Sequence, residues 1–162
     1  MPDASLVRAA QSGDALALDR LLDELAPFVL RICRGIALNH ADDAAQEALM
    51  AIVRHLRSLR EPEALHGWAR RIATREAVRA ARGGRVTAEL SYEAPAPGDP
   101  LLGVEVRDQL ERMEPAQRAI IVLRDLEGLS EEQVADILGV AHGTVKSRLH
   151  RARARFKQEW LA

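Results

Sequence analysis

Residues 129–156 read "LSEEQVADILGVAHGTVKSRLHRARARF", and each punctuation mark in that stretch has a local physical meaning. Ser130 is followed three residues later by Gln133, the pattern of a capping box. In it the hydroxyl takes the amide of the third helical residue and the Gln side chain reaches back to the cap. Val134, Ile137 and Leu138 then form an apolar stripe at helical spacing, and Ala135 is small where a second helix must cross closely. Gly139 ends the helix, because a left-handed backbone is cheap only for glycine. After a short turn, Val145, Leu149, Ala152 and Phe156 mark the inner face of a second helix. The spacing predicts a helix-turn-helix, whose second helix is the one that enters a DNA major groove. Ala141 in the turn is a poor N-cap and weakens the start of that helix by about 1 kcal/mol.

With Val145 and Leu149 turned inward, Thr144, Lys146, Ser147, His150 and Arg151 fall on the outer or flanking faces. Lys and Arg can pair with guanine O6 and N7, and Ser and Thr can serve bases or phosphates. Arg148, Arg153 and Arg155 are better placed for the phosphate backbone, which positions a protein without reading sequence. A merely solvated basic helix would require none of the capping box, Gly139 or the apolar spacing. The formal net charge of −1 conceals this block. Residues 1–49 carry four basic and eight acidic side chains, 50–82 eight and three, 104–141 four and nine, and 142–157 six and none. Partners are therefore indicated by the local blocks rather than by the total.

A chain of 162 residues makes one ordinary domain or two small ones. Hydrophobic residues are 48% and aromatics only 3%, so the core is built of Leu, Val, Ile and Ala, and an all-α fold is expected. Cys33 is the single cysteine, which excludes an internal disulfide and a cysteine-based zinc site; it reads as a small buried hydrophobe. No apolar run has the length of a membrane span, and "MPDASLVRAAQSGD" is not a signal peptide, so a cytoplasmic protein is expected. The five histidines are scattered without HExxH or HxH spacing, and no glycine-rich phosphate loop follows a strand. The pairs Asp42/Asp43 and Glu131/Glu132 open helices, where the dipole accounts for them. No enzyme activity, metal or cofactor is indicated.

Between the two halves lies "GGRVTAELSYEAPAPGDPLLG", residues 83–103. Gly83 and Gly84 are expected to end a helix, and Pro95, Pro97 and Pro100 to prevent another. Such a stretch is too long for a routine loop inside a compact domain. The expectation is two small helical domains, 1–82 and 104–162, joined by a flexible linker at 83–103, with no internal repeat. In the first, Leu18, Leu21, Leu22 and Leu25 share a face, as do Leu49, Ile52, Val53 and Leu56 in "ADDAAQEALMAIVRHL". After "RSLREPEAL", which contains Pro62, Trp68, Ile72 and Val78 mark the buried side of a further helix. Arg71, Arg75, Arg79 and Arg82 recur at i, i+4, i+8 and i+11 on one face, with only Glu76 as an acidic neighbour on that helix. Like charges so spaced repel, and they suggest an anionic partner.

Residues 113–156, with "GTVKSRLHRAR" at their centre, resemble the C-terminal, −35-binding domain of bacterial extracytoplasmic-function (ECF) sigma factors. "ADDAAQEALMAIVRHL" followed by "GWARRIATREAVRAARGG" resembles that family's N-terminal domain. The resemblance implies a monomeric factor that binds core RNA polymerase and directs it to promoters. It implies that Asp42, Asp43, Gln46 and Glu47 dock on the clamp helices of the polymerase's largest subunit, where acidic groups facing a basic coiled coil speed encounter. It also implies that the loop and helix with Arg57, Arg60, Trp68, Arg71, Arg75, Arg79 and Arg82 read the −10 element. Members often have Asn and Asp where this chain has Arg75 and Arg79, which favours phosphate contact over base reading. The family also makes an anti-sigma factor a candidate partner. Two other readings use the same residues. A stand-alone helix-turn-helix regulator would usually dimerise on palindromic half-sites, yet no heptad zipper or sensor domain is present. A decoy that only titrates an anti-sigma factor would not need the basic face of residues 144–155.

Overall fold

The computed structural model describes residues 2–88 and 103–161. Helix α1 (Ala4–Gln11) starts at Asp3, whose carboxylate accepts the Leu6 amide at 2.8 Å. Gly13, at φ +98°, turns the chain, and Asp14 caps the 23-residue α2 (Ala15–Ala37) by accepting the amides of Leu16 and Ala17. Pro27 lies inside α2 on an exposed face, where its missing donor is tolerated. A 3-10 turn, Leu38–His40, leads into α3 (Ala41–His55) with Asp42 and Asp43 in its first turn. Residues 56–64 form a loop of two short 3-10 turns. Gln11 pins that loop by donating to the Leu56 and Leu59 carbonyls at 2.9 and 2.7 Å.

Helix α4 (Leu65–Ala88) follows. It continues through Gly83 and Gly84, which therefore do not end it. Glycine inside a helix costs only about 1 kcal/mol, and Gly83 is not among the positive-φ glycines that would mark a left-handed cap. Most of the expected linker, residues 89–102, lies outside the described residues. The second half contains α5 (Val104–Glu111), α6 (Pro115–Ile121), a π-helical turn (Val122–Leu126), α7 (Glu131–Leu138) and α8 (His142–Leu161). Among the described residues there is no strand, and no helix is long and apolar enough to cross a membrane.

The first core lies between α2, α3 and α4, with Leu21, Leu25, Ile32, Ile36, Ile52 and Leu65 fully buried. Each such side chain contributes roughly 1.5–3 kcal/mol of burial. Alanines at 44, 45, 48, 51, 69, 73 and 77 let the helices approach closely. Cys33 is buried among them, as the sequence suggests, and burial aided by the charge of Glu76 pushes its thiol up to about 12. Val53 departs from the expected inward face. It is 39% exposed, and its side chain joins a surface groove instead.

The second core comprises Ile120, Leu123, Leu129, Val134, Ala135, Val145 and Leu149, placed between α6, α7 and α8 as the apolar spacing predicts. The two cores are not independent. Ala119 and Val122 are buried in the first cluster and Leu138 packs against it, while Leu38 is buried with Leu110, Met113 and Ala152.

Candidate DNA-binding and polymerase-binding surfaces

The helix-turn-helix forms by the local chemistry read from its sequence. The Ser130 hydroxyl accepts the Gln133 amide at 3.2 Å, and the Gln133 side chain accepts the Ser130 amide at 2.9 Å. Gly139 closes α7 in the left-handed region at φ +65°. Ala141 supplies only its carbonyl to the start of α8, taking the amides of Thr144 and Val145. The weak cap has a substitute that sequence reasoning missed: His142 Nε2 reaches the Glu131 carboxylate at 3.2 Å and Glu132 at 4.0 Å, tying the two helix starts together.

Val145, Leu149 and Ala152 are buried, and Lys146, Ser147, His150 and Arg151 are exposed, with Thr144 half-buried beside them. This is the expected outer face. The three arginines assigned to phosphates are more occupied than expected. Arg153 forms a two-pronged pair with Asp125 of the π-turn, which raises the Arg153 pKa. Arg155 donates to the Arg112 carbonyl at 3.2 Å. Arg148 is half-buried and turns toward α4.

The arginines of α4 do share an exposed face, yet their charge is partly compensated, contrary to the expectation. Glu76, though buried, lies 3.5 Å from Arg75 and 3.0 Å from Arg79. Arg79 also approaches Glu47 at 3.9 Å, and Arg82 pairs with Glu114 at 3.0 Å. Among the described residues Arg71 makes no ion pair. Trp68 is half-buried, packed against the first core while lining the groove beside Arg71 and Arg75. Arg57 and Arg60 are exposed in the loop before α4.

Glu114 both caps α6 and holds Arg82. Burial alone would raise its pKa, but the Arg82 guanidinium and the amides of Gln117 and Ala116 outweigh it and hold the carboxyl below its ordinary 4.5. A carboxyl depressed in the folded chain leaves stability intact above that value. Stability is then lost as pH falls through the folded pKa, because the unfolded chain takes up its proton first. Replacing Glu114 with Gln should therefore flatten the stability–pH curve below pH 4.5, read by circular dichroism during acid titration.

A separate surface lies on α2 and α3. Leu22, Leu30, Ala45, Leu49, Met50 and Val53 line an apolar groove of about 670 Å³, with Asp42, Gln46 and Arg54 also lining it. Asp43 and Glu47 are exposed on the same helix. Four polar residues were read from the sequence; the apolar floor was not, because Val53 and Met50 continue a helical stripe that looks like core.

Comparison with known proteins decides the family. Residues 21–86 match the family model for Sigma-70 region 2, and residues 103–156 match Sigma-70, region 4. The chain is 36% identical over 161 residues to the ECF RNA polymerase sigma factor SigM of Mycobacterium tuberculosis, covering 94% of this chain and 82% of that protein. This chain belongs to the ECF sigma-factor family. It is also 33% identical over 171 residues to SigE of Mycolicibacterium smegmatis, covering 93% of this chain and 65% of that relative's length. The fold of this sigma factor is similar to that of CnrH, solved with the cytosolic domain of CnrY, at a TM-score of 0.66 and 23% identity over 96% of this chain and 95% of the other. It is likewise similar to RpoE of Bartonella quintana, solved with the anti-sigma factor NepR, at 0.65 and 24% over 87% and 94%.

Proposed function

We propose that this sigma factor binds core RNA polymerase through the α3 surface and directs transcription initiation by reading a −35 element with α8 and a −10 element with α4 and its preceding loop. The observation that carries the reading is the outward presentation of Lys146, Ser147, His150 and Arg151 on a capped helix-turn-helix whose inner face buries Val145, Leu149 and Ala152. In this reading residues 1–82 recruit polymerase and contact the −10 region, residues 104–162 contact −35, and 83–103 connect them. Thr144, Lys146, Ser147 and Arg151 read bases, with Arg148, Arg153 and Arg155 on phosphates once their internal partners exchange for DNA. Arg57, Arg60, Trp68, Arg71, Arg75, Arg79 and Arg82 serve the −10 strand. The factor works as a monomer in the cytoplasm, where polymerase and promoter are, and takes an anti-sigma factor as its regulatory partner.

On α3, Asp42, Asp43, Gln46 and Glu47 supply charge complementarity and the groove beside them supplies apolar contact. Val53→Asp puts a carboxylate into that contact without disturbing the core, since Val53 is exposed. It should weaken binding to core polymerase at least about tenfold, equivalent to about 1.4 kcal/mol, in an equilibrium titration with labelled protein. Run-off transcription from a promoter template with core enzyme tests the whole reading. Template-independent binding with no run-off product in any condition would sink it.

A further inference from the structure

The loop proposed to read the −10 element is fastened at every third residue. Leu56, Leu59, Pro62 and Leu65 are buried, while Arg57, Ser58, Arg60 and Glu61 between them are exposed. Its first turn, Leu56–Ser58, closes through a backbone bond from the Leu59 amide to the Leu56 carbonyl at 3.2 Å. Hydrogen-bond geometry is poorer in a 3-10 turn than in an α-helix, so such a turn keeps its shape best with outside support. That support comes from another helix. Gln11, the last residue of α1, donates from Nε2 to the Leu56 carbonyl at 2.9 Å and to the Leu59 carbonyl at 2.7 Å. We infer that Gln11 is a positioning residue for −10 recognition: its amide sets the turn that presents Arg57 and Arg60, and α1 is thereby part of the −10 reader. The inference rests on the −10 reading of this loop given above.

An amide nitrogen carries two hydrogens, and a carbonyl oxygen only accepts. One nitrogen therefore spans both ends of the turn and fixes the separation of two carbonyls that bracket Arg57 and Ser58. Gln11 stands 45 and 48 residues before its two partners, so these bonds register the loop on a separate helix rather than on itself. Two further contacts run along the same side. Arg57 Nη2 lies 3.8 Å from where a Cβ on Gly13 would stand, and the φ of +98° at Gly13 keeps that position to glycine. The end of α1 thus stays bare beside the Arg57 guanidinium. Arg8 reaches Glu63 of the second turn at 3.6 Å; both side chains are exposed, and the pair contributes little by itself. Helix α1 precedes the stretch matched to region 2, which begins at residue 21. Drawing a base out of the stack is costly and is offset by contacts in a shaped pocket. A loop already in its reading shape loses less freedom on binding. Selectivity depends on where the reading groups stand, so it suffers first when the supporting contacts are lost.

The test uses the whole chain with core polymerase. A promoter found by sequencing the transcripts that the wild type makes from genomic fragments serves as template, its −10 positions randomised in one library and its −35 positions in another. Gln11→Glu keeps the side-chain shape and removes both donors, Gln11→Met removes them without adding charge, and Gln11→Lys retains donors on a longer stem. A single wrong base normally discriminates by about five- to 150-fold. Both donor-free variants should lower the preference at the most selective −10 position at least about fivefold. Their −35 preferences, and their equilibrium binding to core polymerase, should stay within about twofold of wild type. Gln11→Lys should keep the wild-type −10 preference. Circular dichroism establishes folding first; should Gln11→Glu melt below the assay temperature, Gln11→Met carries the comparison. An unchanged −10 preference without the donors would overturn the inference. So would an equal loss in both libraries, the mark of general destabilisation, or a Gln11→Lys profile as flat as the donor-free ones. The double variant Arg57→Ala, Arg60→Ala separates two failures. If it leaves the −10 preference intact, the loop reading fails and takes the inference with it. If it flattens that preference while the Gln11 variants do not, the inference alone fails.

Discussion

Arg118→Ala is expected to lower stability by more than about 3 kcal/mol, in the tail of the distribution where loss of a buried hydrogen-bond network falls. The side chain is 4% exposed. Its guanidinium donates to the carbonyls of Leu110 at 2.6 Å, Met113 at 3.1 Å and Glu111 at 3.4 Å, and to that of Ile36. Leu110 and Glu111 are the last residues of α5, and Ile36 is next to last in α2. Carbonyls there carry the negative end of the dipole and run short of donors within their own helices, although that of Leu110 also takes the Met113 amide at 3.1 Å. Alanine removes the donor fork and leaves a cavity beside those acceptors, with a penalty of about 1–3 kcal/mol for each that neither water nor another donor reaches. Lysine should rescue little, because one ammonium cannot reproduce a planar set of divergent donors. Urea denaturation measures the effect. A loss below about 1 kcal/mol would mean that solvent takes over the role of the guanidinium.

The second large effect is expected at the proposed DNA surface. Arg151→Ala should reduce discrimination between a cognate −35 duplex and a scrambled one by about 1–3 kcal/mol. Arg151 is exposed, bonds among the described residues through a long 3.4 Å contact to the Ser147 carbonyl, and stands on the outer face of α8. Folding therefore asks nothing of it. Arg148→Ala, by contrast, should weaken binding to all duplexes alike and reduce the salt slope by about one, as expected of a phosphate contact. Competition titrations over a range of salt separate the two behaviours. Unchanged discrimination in the Arg151 variant would place the reading face elsewhere on the helix.

The helix-turn-helix was legible because its signals are local. Ser130 and Gln133 bond to each other three residues apart, and Gly139 needs nothing distant to adopt its backbone. The alternation of charge blocks and the arginine face of α4 were legible for the same reason. Gln11, Leu38, Arg107 and Arg118 were not. Each is defined by partners far along the chain, as with Arg118 and Ile36, which are 82 residues apart. No periodicity announces such a pairing, and a buried arginine among carbonyls looks in sequence like a surface residue. The glycine pair at 83–84 misled in the opposite sense: a strong stop signal was overridden by the helix that precedes it.

Cys33 has a practical consequence for anyone studying this sigma factor by spectroscopy. Its thiol is sealed in the first core, and with its pKa at about 12 it carries almost no thiolate near neutral pH. Maleimides and oxidants would pass it by while the protein is folded. A reporter cysteine engineered on the surface of either domain can thus be derivatised in the natural background, and sudden reactivity at position 33 would itself report that the core had come apart.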